Sequence, residues 1–249
     1  MDNPLVTSIV VAVATSFSIS TQADILGIDA GAAVWLTSFS GEAQDGNALI
    51  DVREDLGSDG ESANVFYVGI EHPVPFVPNI RLQHTDLSMS ATTELNTTID
   101  FDGTTFNVGE TLNSDADFTH TDATFYWEVV DFIAEVDVGI TGRFFSGFLQ
   151  LDSDLTGVAR EDFDDPIPML YTKIGFNVPL TGFSAHVIAN GIDIADVQLF
   201  DVTARVNYEA VLGIGVEAGY RIMELDVEDD DILANLSTDG FYAGLSYRF

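Results

Sequence analysis

The sequence predicts an all-β chain, a transmembrane antiparallel up-and-down barrel of about ten strands, with eight and twelve as the alternative counts. Three observations lead there. The hydrophobic period along residues 24–249 is two, the rare cations fall on the non-apolar faces of the strands, and long and short connections alternate strictly. Successive strand side chains point to opposite faces, so each segment carries one apolar face and one polar or small face. A soluble sandwich would turn the apolar face inward; a barrel in lipid turns it outward.

Taken in chain order, residues 1–23 read as a secretory signal peptide and residues 24–249 as the barrel domain. "LVTSIVVAVATSFSI" (residues 5–19) is too short to span comfortably as a helix. Thr21 and Ala23 suit cleavage before Asp24, although the start "MDNP" carries no Lys or Arg. Leu26, Ile28, Ala30, Ala32, Val34 and Leu36 then begin the outward face. The alternation recurs at Phe66–Ile70, Ala123–Val129, Ala134–Ile140, Leu170–Val178, Phe183–Val187, Phe200–Tyr208 and Leu212–Ile222, and again in the terminal "FYAGLSYRF". Long connections are expected near 41–61, 102–115, 152–166, 190–196 and 228–235. They hold 22 of the 41 acidic residues. Short turns are expected near 73–79, 130–133, 179–182 and 209–212. The apolar parity switches from odd at Phe183, Ala185 and Val187 to even at Phe200, Val202 and Ala204, which places a break at 190–196. Ten strands put both termini on one side, the periplasmic side of an outer membrane. Aromatic girdles follow: Trp127, Phe176, Phe183, Tyr208 and Phe249 on the periplasmic rim, and Phe144, Phe200 and Phe241 on the outer one. Strand three, roughly 80–101, is too long merely to cross, so strands three and four are expected to project as a hairpin.

The cations choose between sandwich and barrel. Of eight Lys and Arg, Arg81, Arg143, Lys173, Arg205, Arg221 and Arg248 lie on the faces opposite the apolar ones. Asp29, Glu71, Glu128, Glu135, Asp137, Asp201 and Glu217 share those faces. Carboxylates pointing into a narrow lumen need counter-charges, so a luminal network of Asp29, Arg81, Glu135, Asp137, Arg143, Lys173, Asp201, Arg205, Glu217, Arg221 and Arg248 is expected. About ten strands sit just above the eight whose interior side chains fill, which favours an ion-pair plug over a wide channel.

The chain's end, Phe241, Ala243, Leu245, Tyr247 and Phe249, resembles the terminal strand of small outer-membrane β-barrel proteins of Gram-negative bacteria. "GIGVEAGYRIMELDV" followed by an acidic stretch and that ending is similar in particular to a family of small proteobacterial barrels. The resemblance implies that these five residues form the address read by the barrel-assembly machinery. It further implies periplasmic chaperones as transient partners, and outer-membrane lipid and lipopolysaccharide as surroundings.

Chemistry is sparsely encoded. A net charge of −33 with eight cations excludes nucleic acid as a partner. The absence of cysteine excludes disulfides and thiolate sites. "HTD" occurs twice, at His84–Asp86 and His120–Asp122, where i and i+2 share a strand face, as an oriented general base requires. In a continuous hairpin His120 would oppose about residue 97, some ~40 Å from His84 at a strand's rise, so no joint site is expected. His72 and His186 read as structural. The acidic stretches "LDSDLTG" (151–157) and "DVEDDD" (226–231) offer hard oxygen ligands for divalent cations, but Phe163 stands where a calcium loop would need its bidentate Glu. No catalytic, cofactor or defined metal site is expected. The reading is a structural barrel or narrow cation-preferring conduit, with a rim-active hydrolase or a surface-binding module using the acidic loops as alternatives.

Overall fold

The computed structural model describes residues 26–45, 48–51, 61–74, 76–164, 166–194, 197–229 and 232–249. The expected signal peptide and cleavage site lie outside the described residues. Seventeen strands follow one another: β1 (Gly27–Asp45), β2 (Ala48–Asp51), β3 (Ser62–Glu71), β4 (Asn79–Asp86), β5 (Ser88–Glu94) and β6 (Ile99–Phe101). Next come β7 (Thr104–Phe106), β8 (Thr111–Asp117), β9 (His120–Asp131), β10 (Ala134–Phe145), β11 (Gly147–Ser153) and β12 (Gly157–Phe163). The chain finishes with β13 (Pro166–Asn177), β14 (Phe183–Ile194), β15 (Val197–Val211), β16 (Ile214–Asp229) and β17 (Ile232–Arg248).

Ten of these, β1, β3, β4, β9, β10 and β13 to β17, form a closed antiparallel cylinder in which β17 returns to β1. Closure runs from Asp29 opposite Arg248 to Asp45 opposite Ile232. Phe249 completes the seam, its N–H donating to the Ile28 carbonyl at 2.8 Å while the Ile28 N–H donates back at 3.0 Å. Closure removes the two free edge strands that an open sheet would leave. Strand-facing parity is as the sequence predicts. Phe66, Val68, Ile70, Phe125, Trp127, Ile140, Ile174, Val187, Val206 and Val216 all point outward and are exposed. The eight aromatics expected in the two girdles are exposed as well.

One end of the cylinder carries the short turns between β3 and β4, β9 and β10, β13 and β14, and β15 and β16. Leu212 and Gly213 make the last of them with positive φ at both residues, as a tight hairpin turn requires. The other end differs from expectation in three ways. Strand three does not run from 80 to 101. It stops at Asp86, and β5 joins β8, β11 and β12 in a separate four-stranded sheet, with β6 and β7 as a small hairpin beside it. The departure has an apolar cause: Leu95, Ile99, Phe106, Leu112, Leu151 and Ala159 bury one another in a second core outside the cylinder. Second, the connections expected at 102–115 and 152–166 contain strands: β7 of the small hairpin and the start of β8 in the first, and β12 of the four-stranded sheet in the second. Third, the expected loop at 228–235 is shortened, because β16 extends to Asp229 and β17 begins at Ile232. Likewise β1 continues to Asp45 and pairs with β2; residues 52–60, within the expected connection at 41–61, lie outside the described residues.

Candidate functional site

The lumen is filled in tiers by side chains that strand parity turns inward. Nearest the projecting sheet, β10 supplies Arg143, β16 Arg221, β9 His120 and Asp122, β15 Asp201 and β4 Thr85. Arg143 forks onto Asp122, with Nε donating to Oδ1 and Nη2 to Oδ2, both at 2.7 Å. The same Nη2 donates to Asp201 Oδ2 at 2.5 Å. Arg221 forks onto Asp201 from the other side, Nε to Oδ1 at 2.9 Å and Nη2 to Oδ2 at 2.6 Å, and reaches Thr85 through Nη1 at 3.1 Å. Two guanidiniums therefore share two carboxylates in the fork geometry that favours arginine over lysine. Arg143 and Arg221 are 0% and 1% exposed. His120 Nδ1 lies 2.8 Å from the Phe118 carbonyl, which only accepts, so Nδ1 carries the proton and Nε2 is left to accept from Arg221 at 3.4 Å.

The middle tier centres on Tyr67 of β3. Its ring lies under the Arg81 guanidinium at 4.0 Å and near that of Arg205 at 5.2 Å, and it covers Gly31, where a Cβ would come within 2.4 Å of the ring. Arg81 pairs with Asp29 at 3.1 Å. Arg205 Nη1, Tyr67 Oη and Tyr242 Oη donate to the Glu217 carboxylate at 2.9, 2.9 and 2.5 Å. Toward the turns, Lys173 Nζ sits 3.1 Å from Glu135 and 3.2 Å from Asp137, with His186 Nε2 3.3 Å from Glu135.

Ten of the eleven expected network residues are thus brought together. Arg248 is the exception: it borders the polar cavity at the turn end of the lumen, is exposed at the end of β17 and makes no ion pair among the described residues. Arg160 pairs with Asp162 on the projecting sheet, and Arg53 lies outside the described residues. Asp122, Tyr67, Tyr242, Thr85 and His120 belong to the network but were not assigned to it from sequence. Parity carried the signal for Asp122 and His120, since Ala123 and Phe125 beside them face outward.

Over the upper tier lies an apolar cap of Trp35, Phe39, Leu87, Met89, Met169, Leu199 and Met223, backed by Phe118, Phe145 and Leu225. Trp35 stacks on the Arg221 guanidinium at 4.6 Å, joining cap to network. Two polar cavities in the lumen have volumes of about 30 Å³ each, room for one or two waters.

The remaining candidates resolve as follows. The spacing of about 40 Å between His84 and His120 is corrected. β4 pairs directly with β9, placing His84 opposite Thr121 and Thr85 opposite His120, because residues 88–117 fold away into the side sheet. The two rings nevertheless face opposite sides of the wall, His84 exposed and bonded to Thr121 at 3.0 Å, His120 buried. "LDSDLTG" forms the β11–β12 hairpin rather than a cation loop. Its Ser153 and Thr156 hydroxyls donate to Glu110, at 2.6 and 2.8 Å to Oε2. These bonds, Ser153 foremost, together with Asn107, hold the Glu110 carboxyl down at about 2. In "DVEDDD", the side chains of 228–231 lie outside the described residues. His120, Asp122 and Asp201 bring ligand atoms within 4.8 Å of one another, but both carboxylates are occupied by guanidiniums, so a cation would have to displace two arginine forks.

Comparison with solved structures places this architecture. The outer-membrane protease OmpT of Escherichia coli superposes over 93% of this chain and 99% of its own, with a TM-score of 0.52 at 10% sequence identity. The fold is that of an outer-membrane β-barrel. The transport unit of the autotransporter AIDA-I of Escherichia coli covers 94% of this chain and 93% of its own, with a TM-score of 0.43 at 8% identity. Ail of Yersinia pestis covers 89% of this chain and 99% of its own, with a TM-score of 0.35 at 8% identity. No protein-family model and no curated protein matches the sequence.

Proposed function

We propose that the protein is a sealed, non-enzymatic barrel of the Gram-negative outer membrane, a structural element that presents an acidic β-sheet surface to the exterior. The observation that carries this reading is the upper tier with its cap. Arg143, Arg221, Asp122 and Asp201 neutralise one another across the lumen, and an apolar layer closes over them. A conduit would need a continuous hydrated path, and cavities of about 30 Å³ do not supply one. His120 does not suit a rim hydrolase, being 1% exposed with both ring nitrogens engaged. In this placement the outward apolar wall meets lipid and lipopolysaccharide, the short turns and both chain ends lie in the periplasm, and the projecting sheet lies outside. The terminal strand is delivered by periplasmic chaperones and read by the barrel-assembly machinery, and divalent cations gather diffusely on the acidic exterior.

Planar-bilayer recording of the refolded protein tests the reading. Silence at all holding potentials is expected for the wild type. Discrete cation-selective steps would overturn the sealed barrel in favour of a conduit, since an acidic mouth concentrates cations.

A further inference from the structure

One seam of the cylinder is incomplete. β13 and β14 pair from Asn177–Ser184 as far as Leu170–Gly191 and no further. Yet both strands continue, β13 to Pro166 against β10 and β14 to Ile194 against β15. Three further rungs, at 169/192, 168/193 and 167/194, are missing among the described residues.

The sequence supplies the cause. In an antiparallel strand, alternate residues aim their backbone groups to alternate sides. Val178 N–H donates to Phe183 of β14, whereas Asn177 N–H donates to Ile133 on the β10 side. Even-numbered residues of β13 therefore face β14, and these include Pro166 and Pro168, which have no N–H to donate. By the same alternation Asp193 of β14 faces β13. The parted strands leave the Asp193 N–H and C=O and the Pro168 carbonyl aimed into the gap. Its depth is that of the outer aromatic girdle: Phe144 pairs with Pro166 and Phe200 with Gly191.

At the gap the outer wall is concave. A groove of about 1140 Å³ runs across it, lined by Phe125, Ile140, Leu170, Ala189, Phe200 and the luminal Met169. Unpaired backbone groups facing hydrocarbon are costly. A ligand filling the groove must therefore combine an apolar body with hydrogen-bonding groups at girdle depth. We propose that this seam is a lateral slot that seats the acyl chain of an outer-leaflet lipid, the carbonyl of its ester or amide linkage accepting from the Asp193 N–H and, where the linkage is an amide, its N–H donating to the Pro168 carbonyl. Two features select that occupant: the polar match at headgroup depth, and the continuity of the groove with the wall that already meets lipid. The proposal rests on the membrane placement made above. Met169 and Ile192 at the slot also belong to the apolar cap, which surrounds a cavity of about 110 Å³.

The chain has no native cysteine, so single thiols can be introduced for bimane labelling. Leu170→Cys reports the slot, and Ile222→Cys, on β16 three strands further round, reports exposed wall away from it. Each labelled full-length protein is placed in phosphatidylcholine nanodiscs containing a phosphatidylcholine with a nitroxide on its acyl chain. Quenching at position 170 is expected to exceed that at 222 at least twofold. The excess should vanish in Pro166→Val/Pro168→Val, which restores two donors to the seam, and in Ala189→Trp, which fills the groove without touching the ladder. Equal quenching in the unaltered seam would overturn the slot. Weaker quenching at 170 would do so too, marking the face as covered by a second copy. Absence of quenching at both positions would instead remove the membrane placement.

Discussion

Replacing Asp201 by Asn tests the luminal network at its most connected member. Asp201 accepts three arginine hydrogen bonds, one from Arg143 at 2.5 Å and two from Arg221 at 2.9 and 2.6 Å. With Asp122 it balances two buried guanidiniums, so its neutralisation leaves one positive charge uncompensated where solvent does not reach. Breaking one side of such a buried pair costs about 3–5 kcal/mol, far more than the ~0–1 kcal/mol of an exposed pair. Guanidinium-induced unfolding in detergent micelles measures it, with Trp35 fluorescence as a local reporter because that ring lies 4.6 Å from Arg221. Asp201→Asn/Arg221→Gln restores the charge balance and should recover part of the loss. A double-mutant cycle should return a coupling of about 1–3 kcal/mol. A loss below about 1 kcal/mol for Asp201→Asn, or additivity of the two changes, would refute the view that buried charge balance holds the lumen together.

Two more outcomes follow from the geometry. Deleting Phe249 removes two backbone hydrogen bonds to Ile28, each worth about 0.5–1.5 kcal/mol, so the refolded barrel should lose only about 1–3 kcal/mol. Outer-membrane assembly in cells should fall much more, and assembly equal to that of the intact chain would remove the terminal-address assignment. The Glu110 carboxyl sits at about 2 against an ordinary 4.5. A depressed folded value means that its contribution is full above about 4.5 and is lost as pH falls toward 2. Protection against hydrogen exchange in the β11–β12 hairpin, taken relative to the intrinsic exchange rate at each pH, should therefore fall between pH 4.5 and 2 in the wild type. In Glu110→Gln that acid-dependent step should be missing, and its persistence would assign it to another group.

What was legible in the sequence divides by physics. Parity and the placement of scarce cations revealed the closed ten-stranded sheet, because a lipid-facing wall and a charged lumen leave a period-two record at every strand. The break at 190–196 was readable from the switch between odd Phe183, Ala185 and Val187 and even Phe200, Val202 and Ala204, which one regular strand would not show. The projecting sheet was not readable. Leu95, Ile99, Phe106 and Leu112 bury each other away from the cylinder, and alternation there looks the same as alternation in the wall. The cap was hidden for the same reason: Trp35, Leu199 and Met223 occupy luminal parity, and nothing local says that the lumen turns from charged to apolar along its axis. The His84–His120 distance was misjudged because a hairpin count cannot detect that the segment between two strands has left the ladder. The open seam is the converse case. Pro166 and Pro168 were visible, but which neighbour they deprive of a donor depends on register.

The two tryptophans of the chain allow the most direct test of which face meets hydrocarbon. Trp127 is 41% exposed on the outer wall and Trp35 is 0% exposed within the cap. In bilayers of brominated phosphatidylcholine, a Trp35→Phe variant that retains only Trp127 should be strongly quenched. A Trp127→Phe variant that retains only Trp35 should keep nearly all of its emission. Equal quenching of the two, or quenching of Trp35 alone, would contradict a barrel that turns its apolar wall to lipid and its charges inward.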